Sequence, residues 1–411
     1  MTDQTQSVPS SLAPFRQPAF RLLSGTGFVA NVCLWMNDVS AAWMMTTLTR
    51  SPLWVALVQT AAALPVFMLA LVSGAMADQV DRRRHLLATH CWLALVGLAF
   101  GAAVLADAVS PPLLLALTFA HGVGVAVRLP AFAAAVPHTV SRTDLPAAIT
   151  LIGLSMNASR IAGPLLAGLL IAVAGAGFVF LLNGVLAVCI AIILFRWKGD
   201  ELPAPTPVAG GLRALVSAIR VGVAHVIGSR QLSGVMVRIW VFMFHSAALL
   251  GLLALLARAM DGADAGTFAL LLGGMGTGAL VAAPLMPWLR LRTPAPALLL
   301  GGVFLQVIAM ATMAITHHLW LALPAMMLFG MSWLTTGNTL TVSAQIHMPD
   351  WVRARGMAIY QMSTLGASAC GAAFWGQLAT WTSVPTSLLT ASGSGLVLFA
   401  IVNRWRSSEA N

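Results

Sequence analysis

Long, nearly charge-free apolar runs follow one another along this chain from residue 22 to residue 403. Each reaches the roughly 20 residues that cross about 30 Å of hydrocarbon. In that medium every backbone amide needs an internal partner, so only helices and closed barrels span it. Blocks such as LTFAHGVGVAVRLPAFAAAV are continuous rather than alternating, which excludes barrel strands of about ten residues. The pattern predicts helices over 22–48, 53–77, 85–107, 112–136, 145–174, 177–197, 232–257, 265–289, 294–316, 319–346, 352–380 and 386–403. Composition agrees: 59% of the residues are hydrophobic and 8% are charged, against about a quarter charged in soluble domains.

The net charge of +10 raises nucleic acid as a partner, but the positions of the charges decide otherwise. Of the 22 Lys and Arg, Arg128, Arg160 and Arg238 fall inside predicted spans, and Arg50 and Arg258 fall between spans on one side. All the others, from Arg16 to Arg406, collect on the side of the termini. That imbalance is the positive-inside pattern and puts both termini in the cytoplasm. The basic balance is topology, and no nucleic-acid partner is expected. The polar, Pro-containing start MTDQTQSVPSSLAPFRQPAF has no short apolar core or cleavage site, so no signal peptide is expected. Cys33, Cys91, Cys189 and Cys370 fall in four different spans, without metal-ligand or disulfide spacing. They read as small packing residues, and neither a metal nor a cofactor is expected.

Residues 198–231 form the longest weakly apolar interval, with Pro203, Pro205, Pro207, Gly210 and Gly211 breaking regular backbone. Arg213, Arg220 and Arg230 then accompany an apolar stripe, as in a helix lying along the inner membrane face. The expected division is an N-terminal six-helix unit over 1–197, this linker over 198–231, and a C-terminal six-helix unit over 232–411. The units are related. A displacement of about 208 residues lays VSRTDLPAAITLIGLSMNASRIAGPLLAG over MPDWVRARGMAIYQMSTLGASACGAAFWG, matching Ser155 to Ser363, Gly163 to Gly371 and Gly168 to Gly376. The fold expected is an all-α polytopic membrane protein with twelve transmembrane helices in two pseudo-symmetric six-helix bundles, an arrangement suited to a transporter built from repeats.

The stretch GAMADQVDRRRHLL, residues 74–87, crowds two Asp and three Arg into a turn between predicted helices 2 and 3. Orientation explains the Arg triplet; it does not explain the Asp residues. The stretch resembles the loop signature of the major facilitator superfamily, with Gly74, Asp78, Arg82 and Arg83 in the matching positions and Asp81 where the broad pattern has a second Gly. The resemblance implies a conformational latch, in which Asp78 faces the N-terminal end of helix 11, whose partial positive charge favours an anion. The equivalent Asp in the second half is Pro287. SRIAGPLLAG in helix 5 is similar to the antiporter motif of superfamily exporters through Gly163, Pro164 and Gly168. Physically, small residues admit close helix approach and Pro164 removes a backbone hydrogen bond; plain packing is the alternative reading. WMNDVSAAWMMTTLTRSPLWVALVQTAAALPVF and VAVRLPAFAAAVPHTVSRTDLPAAITL extend the resemblance to the branch containing the enterobactin exporter and the transmembrane secretion effectors. That branch implies export from a bacterial-type cytoplasmic membrane.

Asp38 is the one acidic residue deep inside a predicted span, and such a group is a functional candidate by default. Asn31, Trp35 and Asp38 share one helix face. Three readings stay open for Asp38: exchanging protons as access alternates, a fixed ion pair orienting helix 1, and direct substrate contact. Arg128 and Arg238 read chiefly as buried structural charges reaching an interface or loop carboxylates. Arg160, on a face with Asn157 and Pro164, is equally a candidate for attracting an anionic substrate. His245 on helix 7 is a second proton-site candidate, or a histidine satisfied by local hydrogen bonding. Trp333, Asn338, Tyr360, Gln361 and Thr364 are candidates to line a cavity with Trp35 and Phe374.

These observations predict a secondary transporter working by alternating access as a functional monomer in a lipid bilayer. The expected activity is proton-coupled export of small amphiphilic organic compounds such as drugs or siderophore-like molecules. The alternative is a facilitator or importer of an organic anion or lysolipid, without proton coupling at Asp38. No nucleophile elbow, phosphate-cradling loop or metal pattern points to an enzyme.

Overall fold

The computed structural model describes residues 12–79, 81–197, 220, 223–260, 262 and 264–407, with side chains at 70–72, 74–79, 350–355 and 405–407 excepted. Most of the predicted linker, including Arg213, lies outside the described residues.

Twelve long helices account for nearly all of the described chain. The first six are α1 (Pro18–Leu48), α2 (Pro52–Gln79), α3 (Arg82–Leu105), α4 (Pro111–Ala135), and α5 and α6, the two arms of Leu145–Arg196, over 145–174 and 176–196. The second six are α7 (Arg230–Arg258), α8 (Ala265–Arg292), α9 (Ala295–Ile315), α10 (Leu319–His347), α11 (Asp350–Trp381) and α12 (Val384–Ser407). Local chemistry sets many of their ends. Proline opens α1, α2 and α4, where its missing N–H costs nothing and its fixed φ is already helical. The Asp264 carboxylate accepts the Thr267 backbone N–H at 2.8 Å in a capping box that starts α8. Between α5 and α6 the chain breaks at Gly175, at φ 80° and ψ 164°, backbone that only glycine adopts without strain. Helical backbone runs on through Pro164, so the interruption falls eleven residues beyond the Gly-Pro pair.

The pairings repeat between the two sets of six. Helix α1 packs on α5 as α7 packs on α11; α2 packs on α4 as α8 packs on α10; α3 packs on α6 as α9 packs on α12. Glycines at the 208-residue displacement make equivalent contacts. A Cβ on Gly122 would meet the Ala62 carbonyl oxygen of α2 at 2.9 Å, and one on Gly330 would overlap the Met275 carbonyl oxygen of α8. One on Gly163 would meet the Trp35 side chain of α1 at 2.5 Å, and one on Gly371 would overlap the Phe244 carbonyl oxygen of α7. The chain therefore folds as two pseudo-symmetric six-helix bundles.

The bundles join along α2 with α11 and α5 with α8. Gly376 of α11 lies against Ala56 of α2, and Gly168 of α5 against Ala269 of α8, again a pair related by the repeat. Polar groups reinforce the first seam: Gln59 Nε2 donates to Ser368 Oγ at 3.1 Å and Thr60 Oγ1 donates to the Ala369 carbonyl at 2.9 Å. At the end of the molecule away from the termini, Trp43 of α1 stacks on Phe268 of α8, with centroids 6.3 Å apart.

Candidate functional site

In the second half of α1, three polar side chains lie close together without hydrogen-bond partners among the described residues. Asp38 Oδ1, Asn37 Nδ2 and Ser40 Oγ are each buried without a hydrogen-bond partner among the described residues. Leaving such atoms unsatisfied in the interior costs about 1–3 kcal/mol apiece, so each calls for a physical explanation, a bound water or ion or a functional role among them. No ion pair joins Asp38 to a described cation, and the carboxylate has no described hydrogen-bond donor. The fixed ion pair, one of the three readings of this residue, is therefore not formed with Arg128 or Arg160.

The buried cations have other surroundings. Arg128 of α4 is 2% exposed and donates from Nη2 to Asn31 Oδ1 on α1 at 2.7 Å. Cys33, His90 and His121 lie within its electrostatic reach. Asn31 is thus the partner of Arg128, inside the first bundle, and not part of an open wall. Arg160 of α5 lies over the Trp35 ring, with Cζ 5.5 Å from the centroid, and its Nε is buried without a hydrogen-bond partner among the described residues. A cation on an indole face is attracted by the ring quadrupole, and the pair leaves a guanidinium donor unspent beside the α1 polar cluster's own helix. Arg238 lies half-buried on α7.

The other candidates divide. Asn157 is exposed and donates to the Gly153 carbonyl of its own helix at 3.0 Å. Asn338 and Gln361 are exposed. Tyr360 is buried, with its hydroxyl 3.1 Å from Thr341 Oγ1, and Thr364 Oγ1 donates to the Tyr360 carbonyl at 2.9 Å. Those hydroxyls are engaged between and within helices. Trp333 packs against Phe242 and Phe329. His245 donates from Nδ1 to the Val241 carbonyl at 2.6 Å and lies among Phe244 and Trp375. Phe374 is half exposed on α11, beside Trp375.

The charged turn after α2 resolves into separate tasks. Asp81 caps α3, its Oδ1 accepting the Arg84 backbone N–H at 2.8 Å, as an N-cap acid should. Arg83 donates from Nε to the Leu194 carbonyl at 3.0 Å and from Nη2 to the Phe195 carbonyl. It thereby satisfies orphan carbonyls at the C-terminus of α6, where a cation is favoured. Arg82 Nη1 is buried without a partner among the described residues. The surroundings of Gly74 and the side chain of Asp78, on which the latch reading depends, lie outside what is described.

The pattern missed three features. Asn37 and Ser40 were not singled out, although two small polar residues flanking a membrane Asp are a readable signal. Arg258 of α7 reaches Thr46 and Trp43 of α1 across the bundle boundary, a contact without any local signature. Nor did it foresee the groove beside His245.

Twelve long helices in two repeat-related bundles, with ten stretches long and apolar enough to cross a membrane among the described residues, have the architecture of a transporter of the major facilitator type. The nucleoside transporter NupG matches the fold with a TM-score of 0.74, at 11% identity over 94% of this chain and 98% of that one. A bacterial homologue of the human lysosomal transporter Spinster, inward-facing and unoccupied, matches with a TM-score of 0.71, at 13% identity over 94% of this chain and 95% of that one. A POT family transporter in complex with a thioalcohol-conjugated peptide matches with a TM-score of 0.74, at 11% identity over 92% and 95%. Within that class the chain belongs to the transmembrane secretion effector family, whose profile matches residues 9–410. No curated protein matches it in sequence.

Proposed function

We propose that this transporter is a proton-coupled exporter of small amphiphilic organic compounds, with Asp38 as the coupling carboxylate and both termini in the cytoplasm of a bacterial-type cell. The observation that carries the reading is the buried, unpartnered oxygen of Asp38 beside the unmet Asn37 amide and Ser40 hydroxyl. A carboxylate held by an arginine would keep its charge through the cycle. One without a fixed partner gains and loses a proton as its access to each side changes. Family membership supports export, and the concentration of Lys and Arg on the side of the termini supports the orientation.

A second reading rests on Arg160. Its unspent Nε over the Trp35 ring suits an organic anion or a lysolipid headgroup, and would serve a facilitator or importer in which Asp38 carries no proton.

One experiment separates them. In inverted membrane vesicles holding the protein, fluorescent cationic, neutral and anionic compounds are offered with and without an imposed pH gradient. The exporter reading expects gradient-driven accumulation that Asp38→Asn abolishes while binding persists. Accumulation of an anion that ignores the gradient, and ignores Asp38→Asn, would overturn it in favour of the second reading.

A further inference from the structure

In the second bundle, a groove of about 720 Å³ runs between α7, α11, α12 and the helical stretch 223–228. Its walls are apolar, including Val226, Trp240, Phe374, Trp375 and Leu398, and every residue lining it belongs to α7, α11, α12 or the adjoining stretch 223–228. Trp240, Phe374 and Leu398 are 39%, 52% and 45% exposed. The helices α7 and α12 are long and apolar enough to span a bilayer, and exposed Trp, Phe and Leu side chains at the lips of the groove suit contact with hydrocarbon. The volume falls within the range of sites for drug-sized ligands.

Polar groups in the groove are few, and they differ in how they are used. Thr390 Oγ1 and Ser394 Oγ donate to carbonyls of their own helix at 2.7 and 2.6 Å. His245, 4% exposed, spends Nδ1 on the Val241 carbonyl. A carbonyl only accepts, so Nδ1 carries the proton and Nε2 of the neutral ring is an acceptor. That acceptor has no partner among the described residues, and neither has the hydroxyl of Ser363, which lines the same groove. The ring is held in place by Phe244, Trp375 and the close backbone of Gly395. A fixed acceptor inside an apolar recess selects a ligand that brings one donor and little other polarity.

We infer that this groove is a binding site for a membrane-dissolved, largely apolar molecule carrying a single hydroxyl or N–H, which it donates to His245 Nε2. The occupant arrives from the bilayer through the lips formed by Trp240, Phe374 and Leu398. The site shares no lining residue with the Asp38 cluster, and the inference holds whichever way Asp38 behaves.

The test uses the full chain in phosphatidylcholine nanodiscs and two probes, 9,10-dibromo-octadecan-1-ol and its methyl ether. Bromine quenches indole fluorescence on contact, and Trp240 and Trp375 line the groove. The expected result is a saturable quenching component for the alcohol that vanishes in the Trp240→Phe/Trp375→Phe double variant. The ether, which cannot donate, binds about tenfold more weakly, and His245→Phe weakens the alcohol to the level of the ether. Ser394→Phe, which leaves His245 in place and fills the groove, removes the saturable component. Quenching that rises linearly with probe and is indifferent to Ser394→Phe reports partition into lipid and overturns the site. Equal affinity for alcohol and ether overturns the role of His245.

Discussion

Arg258 at the end of α7 donates from Nε to Thr46 Oγ1 of α1 at 2.5 Å while its guanidinium lies 4.6 Å from the centre of the Trp43 ring. The two residues of the hydrogen bond are 212 positions apart and belong to different bundles. The contact therefore closes the end of the molecule away from the termini, next to the Trp43–Phe268 stack.

Removing that clasp is expected to favour the conformation open at that end. Arg258→Ala loses a charge-assisted hydrogen bond and a cation–π contact at an exposed position, together about 1 kcal/mol. The population ratio should shift about fivefold. Spin-label distances between positions 49 and 262, measured in nanodiscs, should lengthen on average; an unchanged distribution would show that the Trp43–Phe268 stack holds the closure alone.

Asp38→Asn removes the titration and keeps the shape. Transport that depends on a pH gradient should fall to the level seen without one, while substrate affinity changes less than about threefold, as expected when the group carries protons and not substrate. Asn37→Ala serves as the neighbouring control. It deletes an unmet amide from the same cluster and should leave the coupling intact, measured as the ratio of flux with and without the gradient.

The α8–α10 contact leaves no room for a side chain. Gly330→Ala would drive a methyl group onto the backbone oxygen of Met275, which cannot swing aside. The cost expected is about 1–3 kcal/mol, read as a lowered midpoint of thermal unfolding in detergent. Gly301→Ala, where nothing lies within 4 Å, should leave the midpoint within error of the parent.

Asp81 is expected to act as a helix cap. Asp81→Ala should lower stability by about 1 kcal/mol, and Asp81→Ser should restore most of it because a hydroxyl also accepts the Arg84 amide. A role that depended on the charge of Asp81 would give a different pattern: Asp81→Ser would then transport as poorly as Asp81→Ala, because serine carries no charge.

The sequence by itself determined the helices, their number and their grouping, because apolar length, prolines at helix starts and the break at Gly175 act within a turn or two of chain. It also exposed the repeat: Gly163 and Gly371, or Gly168 and Gly376, keep their spacing because each bundle needs the same close approach at the same depth. It pointed to Asp38, since one carboxylate in an apolar run needs no partner to be conspicuous. Only the tertiary structure decided what each polar group meets. Asn31 turned out to hold Arg128, Arg83 to cap α6, and Asp81 to cap α3, whereas Asp38 found no described partner. A hydrogen bond is directional and reaches about 3 Å, so it depends on where separate helices come to rest, and no spacing along the chain encodes that. The same holds for the clasp at Arg258 and for the groove at His245: both are made by surfaces that meet only when the bundles have packed.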